Sequence, residues 1–103
     1  MAAITKRVCF IAKEGCEDKL KELLTAMVEP SKKEAGLVFY DIFQCKDNSR
    51  KFYAVESWES EKALDGHKET EHYAIYKSSF DPYCEKKYTE DLEILGNPYN
   101  LEQ

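Results

Sequence analysis

The chain has 103 residues, of which 43% are hydrophobic and 34% are charged, and its formal net charge is -5. This length predicts one compact domain over residues 1–103. Because basic residues are interleaved with acidic ones, the charge pattern argues against nucleic acid as a partner. We also expect no membrane span and a cytoplasmic protein with reduced thiols, because no apolar run is long enough for a signal sequence or a span.

The first part of the chain predicts a strand and then a helix. Residues 4–12, ITKRVCFIA, are rich in β-branched residues and alternate along the chain as a strand does. The apolar residues that follow have the spacing of an amphipathic helix; they are Leu20, Leu23, Leu24, Met27 and Val28. Pro30 is expected to break or kink this helix, and Gly36 to close it.

The remainder predicts a hairpin, two short helices and a final strand. Residues 37–45 and 51–58 are strand-like runs joined by a polar loop. Ser60 and Thr70 are candidate caps of two helices, and residues 86–95 alternate as a fourth strand. The order βαββααβ predicts an α+β, ferredoxin-like fold with a four-stranded antiparallel sheet and its helices on one face.

Both faces of the predicted sheet are apolar. In the second strand, Leu37, Phe39 and Phe43 alternate with Val38, Tyr40 and Ile42, so each face receives large side chains. Helices can cover one face only, and the other would expose a patch larger than a soluble monomer tolerates. The sequence therefore predicts a homodimer in which two sheets face each other.

A pocket between sheet and helices would receive side chains from residues 56–76. Trp58 shares a strand face with Glu56, and His67 lies on the apolar side of the first short helix. We expect Trp58, Tyr76 and His67 to line the pocket, with Glu56 or His72 nearby. By pattern alone, these residues are more often part of a hydrophobic core than of a reaction site.

Several kinds of site have no sequence support. His67 and His72 would lie roughly 140° apart around one continuous helix, and no H-E-x-x-H motif is present, so we expect no metal. The four glycines are isolated, which argues against phosphate-binding loops for NAD, FAD or ATP. No G-x-S-x-G motif supports a serine nucleophile. We therefore expect no cofactor.

Short motifs along the chain suggest a family. They are E-x-G at 34–36, a strand tyrosine at Tyr40, E-x-W-x-S at 56–60, A-L-x-x-H at 63–67 and a second histidine at His72. Together they resemble the antibiotic biosynthesis monooxygenase (ABM) domain family over nearly the whole chain. The resemblance implies a dimeric α+β barrel, in which two ferredoxin-like subunits associate through their sheets.

The resemblance also implies an activity, a monooxygenase without flavin or metal. Its substrates would be a small aromatic molecule or quinol and O2. By motif position, Trp58 would hold the aromatic substrate, and His67 or His72 would act as base or hydrogen-bond partner, since imidazole titrates near neutral pH. Tyr40, Glu56 and Tyr76 would orient the substrate.

Two alternatives remain open. Residues 67–73 also resemble family members that isomerise a phosphorylated autoinducer-2-type sugar, and Arg7, Lys68 and Lys77 are candidate cations for such a ligand. A barrel that binds a small ligand without turnover is the other alternative, because a fold does not dictate chemistry. Haem degradation is disfavoured, because the first strand lacks the asparagine that the haem-degrading members use.

Overall fold

The computed structural model describes residues 3–96 and 98–99, so the two ends of the predicted 1–103 domain lie outside the described residues. The strands are β1 (Ile4–Ala12), β2 (Leu37–Gln44), β3 (Lys51–Trp58) and β4 (Cys84–Leu92). The helices are α1 (Glu17–Thr25), α2 (Val28–Lys32), α3 (Glu61–Lys68) and α4 (Glu71–Ser79), and a 3-10 turn covers Asp81–Tyr83. The strands form an antiparallel sheet in the order β2-β3-β1-β4, which confirms the predicted α+β, ferredoxin-like fold.

The first helix and the fourth strand differ most from the prediction, while β2 ends one residue earlier than predicted. The first helix divides into α1 and α2 around Ala26 and Met27. Pro30 lies in the first turn of α2, where its missing N–H needs no helical partner, so the chain restarts as a helix instead of stopping. The fourth strand begins at Cys84 and ends at Leu92, because its pairing with β1 runs between these positions. Alternation within 86–95 could not reveal where the partner strand stops.

The helical segment after β3 contains a break between its two histidines. Ser60 Oγ accepts a hydrogen bond from the backbone N–H of Ala63 at 3.1 Å, and Thr70 Oγ1 accepts one from Tyr73 at 3.2 Å. Both residues are therefore helix caps, as predicted. His67 belongs to α3 and His72 to α4, so an angle measured around one continuous helix does not apply to them.

The helices cover one face of the sheet and form the core with it. Cross-strand pairs on this face include Glu56 with Lys6 and with Tyr40. A register shift between Leu37 and Phe39 corrects the face predicted for Leu37. Leu37 lies opposite Trp58 on the helix side, whereas Phe39 is on the other face, because one extra residue in a strand reverses the alternation. No described helix is long and apolar enough to cross a membrane.

The turn before β2 is packed tightly against α3 and depends on Gly36. Gly36 has a φ of +83°, and a Cβ added there would lie 2.5 Å from the Cβ of Ala63. We expect Gly36→Ala to lower the free energy of unfolding by about 1–3 kcal/mol, from backbone strain and overpacking. Gly66→Ala is the control, since a Cβ at Gly66 meets nothing within 4 Å and alanine favours a helix. Urea unfolding of both variants would contradict this account if Gly36→Ala were as stable as Gly66→Ala.

Candidate active site

A cavity of about 320 Å³ lies between the helix face of the sheet and α1, α3 and α4. Four of the predicted site residues line it: Tyr40, Glu56, His67 and Tyr76. Trp58 was predicted to line the pocket but does not line it, and neither does His72. The predicted pocket between sheet and helices is therefore present, whereas the catalytic and binding roles of these residues stay predictions.

One carboxylate joins the two histidines. His67 Nδ1 lies 2.6 Å from Glu34 Oε2, and His72 Nε2 lies 2.7 Å from the same oxygen. Because a carboxylate only accepts hydrogen bonds, both imidazoles donate an N–H to it. This fixes the ring orientation of His67 and leaves its Nε2 as the nitrogen that can accept a proton.

Aromatic rings also pack around His67. Its ring centroid is 4.5 Å from that of Trp58, 5.2 Å from that of Tyr73 and 5.8 Å from that of Tyr40. Trp58 is fully buried, and its indole N–H donates a 2.9 Å hydrogen bond to Glu56. Trp58 therefore lies behind both His67 and Glu56 and holds these two cavity residues in position.

Three tyrosines of the cavity are kept in their neutral form. Burial raises the pKa of Tyr40 and of Tyr76 well above the usual range, and the negative charge of Glu56 raises both further. Burial and Glu56 also raise the pKa of Tyr73. No hydrogen bond from another described residue engages any of the three hydroxyls. They are therefore O–H donors available to a bound molecule.

The cavity also carries three lysines: Lys6, Lys68 and Lys87. Lys6 is compensated by Asp91, whose carboxylate is 2.6 Å from its ammonium. Arg7, a cation suggested for a phosphorylated ligand, pairs with Glu90 on the opposite face of the sheet. Lys77 is not among the lining residues either, so of the three suggested cations Lys68 alone lines the cavity.

Glu34, His67 and His72 could also hold a metal ion. Their ligand atoms lie within 4.8 Å of one another, and two nitrogens with one oxygen form a common metal-binding set. The roughly 140° separation predicted for the two histidines is wrong, because they lie on two different helices. The same atoms are satisfied by the two hydrogen bonds described above. The expected absence of a metal stays a prediction.

Sequence reasoning did not select Glu34, Tyr73 or Lys87 as site residues. Glu34 was noted only within the E-x-G motif, and no local signal indicates that a turn before β2 reaches histidines 33 and 38 residues later. Tyr73 could have been found, since it follows His72 in the same motif-rich segment. Lys87 lies outside every motif, and its place depends on the pairing of β4 with β1.

The fold and the cavity define a ferredoxin-like α+β protein with an internal cavity between its sheet and its helices. The sequence model of the family described as "Antibiotic biosynthesis monooxygenase" matches residues 4–77. The chain is 30% identical over 69 residues to a Mycobacterium tuberculosis protein named "Putative monooxygenase Rv0793", covering 67% of each chain. This chain therefore belongs to the antibiotic biosynthesis monooxygenase family, which confirms the resemblance seen in its motifs.

Solved structures agree with the fold. The crystal structure of PA3566 from Pseudomonas aeruginosa superposes with a TM-score of 0.88 at 29% identity, covering 92% of this chain and 96% of that one. The structure of Rv0793 from Mycobacterium tuberculosis superposes with a TM-score of 0.86 at 23% identity, covering 94% and 99%. The similarity to both extends over almost the entire chain.

Proposed function

We propose that this protein is a monooxygenase that oxidises a small aromatic or quinol substrate with O2 and without flavin or metal. The observation that carries the proposal is the Glu34–His67 hydrogen bond at the wall of a cavity whose other polar groups include neutral tyrosines. Membership of the family and the name of the mycobacterial relative support a monooxygenase activity.

In the proposed reaction, His67 Nε2 removes the proton of a substrate hydroxyl. Glu34 orients the imidazole and stabilises the imidazolium that forms, as a carboxylate does beside a catalytic histidine. Tyr40 and Tyr73 donate hydrogen bonds to the resulting phenolate, because their raised pKa keeps them protonated. The electron-rich anion then passes an electron to O2, and the two radicals combine at a ring carbon to form a hydroperoxide. Loss of water from the hydroperoxide leaves a quinone, so that a hydroquinone and O2 give a hydroxyquinone and water and the substrate supplies all four electrons.

A test of the proposal is O2 consumption with a panel of reduced quinols, measured on chelator-treated protein free of flavin. We expect protein-dependent uptake that is unchanged after EDTA treatment, because the proposed reaction uses only the substrate's own electrons. A control sample reloaded with Zn²⁺ or Fe²⁺ measures any metal effect at the Glu34, His67 and His72 group. Uptake that disappears with EDTA and returns with a metal would overturn the metal-free reaction.

The isomerase of a phosphorylated autoinducer-2-type sugar is the second candidate. Lys68 and Lys87 at the cavity favour a ligand with an anionic group, which a phosphate supplies. Absence of O2 uptake across the quinol panel, together with conversion of a phosphorylated sugar, would support it. A barrel that binds a small ligand without turnover would show neither reaction.

We also propose that two chains form a homodimer through the face of the sheet opposite the helices. Phe43, Tyr88 and Leu92 on this face are 53%, 40% and 42% exposed. By register, Phe39 lies on the same edge strand as Phe43, and Val55 lies on β3 between the two edge strands. These apolar side chains surround the Arg7–Glu90 ion pair, and a second sheet is a fitting cover for exposed aromatic and aliphatic groups of this extent. Its association would complete the dimeric α+β barrel that the family resemblance implies.

The dimer is tested by sedimentation of Phe43→Asp. Wild-type protein is expected at twice the 12.0 kDa chain mass, and Phe43→Asp at the monomer mass or in a concentration-dependent equilibrium. Ile75→Asp is a matched control, since Ile75 is also 53% exposed but lies on α4 in the helix layer. A monomeric wild-type protein, or equal effects of the two substitutions, would exclude this interface.

A further inference from the structure

The cavity has a second polar region around Lys87 of β4. The Lys87 ammonium lies 4.9 Å from the ring centroid of Phe80, 5.6 Å from that of Tyr76 and 5.8 Å from that of Phe10. Ring faces attract a cation but provide weak hydrogen-bond acceptors. No carboxylate of the described residues forms an ion pair with this half-buried ammonium, so its N–H donors remain available to a ligand.

The Lys87 region and the Glu56 region lie at different levels of the sheet, that is, at different positions along the strand direction. Glu56 pairs across the sheet with Lys6, whereas Lys87 pairs with Phe10, which in turn pairs with Phe52. The four-residue step from Phe52 to Glu56 corresponds to about 13 Å along a strand. Most side chains that line the cavity between these levels are apolar; they are Val8, Ala54, Leu24 and Met27. Thr89, which pairs with Val8, adds one hydroxyl there. The cavity is therefore mainly apolar in its middle and has charged groups at two separated ends.

The half-buried position of the Lys87 ammonium favours an anion. Burial lowers the pKa of Lys87, and the nearby Lys77 lowers it further, whereas Cys84, Glu56 and Asp81 act more weakly in the other direction. An anion placed against the ammonium would stabilise its charged form. An anion would stabilise the other two lysines less, because Asp91 already neutralises Lys6 and because Lys68 is exposed to water.

We propose that the cavity binds a small aromatic molecule bearing a carboxylate or phosphate, with the anion against Lys87 and a ring hydroxyl on the side of His67. This proposal adds a substrate class to the proposed oxygenase function. Only the placement of the reacting hydroxyl near His67 rests on that function. The apolar middle holds the ring, while the two polar ends fix its direction.

The experiment compares benzoate with benzamide, which have similar shapes and differ in charge. Calorimetric titration needs no turnover, so its result is independent of the oxygenase reaction. Wild-type protein is expected to bind benzoate about tenfold or more tightly than benzamide, which is about 1.4 kcal/mol. Lys87→Met should remove this preference. Lys77→Met should reduce it far less, because Lys77 is near the same Phe80 ring, at 5.8 Å, but does not line the cavity.

Phenyl phosphate, as a third ligand, distinguishes the two anions. Tighter Lys87-dependent binding of phenyl phosphate than of benzoate would identify the anion as a phosphate, and the reverse order as a carboxylate. Equal binding of benzoate and benzamide, no binding of either anion, or an unchanged preference in Lys87→Met would overturn the assignment. Thermal unfolding of Lys87→Met at the wild-type temperature verifies that the variant is folded.

The link to turnover is tested separately with hydroquinone and 2,5-dihydroxybenzoate. If both functions hold, Lys87→Met raises KM for the carboxylate substrate about tenfold and leaves KM for hydroquinone unchanged. Lys87-dependent binding of benzoate without O2 uptake from any quinol would keep the anion site and remove the oxygenase. O2 uptake that does not depend on Lys87 would keep the oxygenase and remove the anion site.

Discussion

His67→Ala is expected to lower the rate of O2-dependent turnover by about 100- to 10,000-fold, the usual contribution of a positioned base. His67 is the histidine that lines the cavity, and its Nδ1–H is held by Glu34 at 2.6 Å. His72 Nε2 contacts the same carboxylate oxygen at 2.7 Å, and His72 does not line the cavity. Steady-state O2 uptake should therefore fall far more in His67→Ala than in His72→Ala.

Two variants of Glu34 separate orientation from charge. Glu34→Gln retains an acceptor oxygen for the His67 Nδ1–H and removes the negative charge, whereas Glu34→Ala removes both. We expect turnover to decrease in the order wild type, Glu34→Gln, Glu34→Ala. Substrate binding should be the same in the wild type and in Glu34→Gln. Because His67 is only 2% exposed, far-UV circular dichroism must accompany each assay. A folded His67→Ala protein with full activity would remove His67 from the reaction.

Trp58→Ala is expected to lower the free energy of unfolding by about 3–5 kcal/mol, the usual cost of deleting a large buried aromatic side chain. Trp58 has no exposed surface, and its ring packs 4.5 Å from His67. The loss is a large fraction of the 5–15 kcal/mol that stabilises a typical domain. Urea unfolding at one fixed protein concentration measures this loss of stability. Far-UV circular dichroism is the signal, because the substitution also removes the indole fluorescence of Trp58.

Trp58→Phe is the companion variant, because it keeps most of the ring and loses the N–H donated to Glu56. We expect it to be folded and less destabilised than Trp58→Ala, with a changed KM or kcat because the Glu56 carboxylate is no longer held. If Trp58 served to hold a substrate at the cavity surface, Trp58→Ala would cost less than about 1 kcal/mol of stability. That result would contradict its role behind His67.

Local patterns were sufficient for most of the secondary structure. Caps at Ser60 and Thr70, strand alternation and the helical spacing after Gly15 act between near neighbours, so the order βαββααβ and the ferredoxin-like fold follow from them. The bulge at Val38 could not be predicted, because an extra residue is defined only against a partner strand. For the same reason the limits of β4 were wrong by two or three residues.

The sequence by itself determined the fold class, the family and a pocket on the helix side of the sheet, because each depends on periodicity or on short motifs. Only the tertiary structure decided that His67 and His72 share Glu34, that Trp58 lies behind the cavity wall, and that Lys87 reaches the cavity. These relations join residues that are far apart in the chain. Their distances are set by strand register and by the break between α3 and α4, which no local pattern contains.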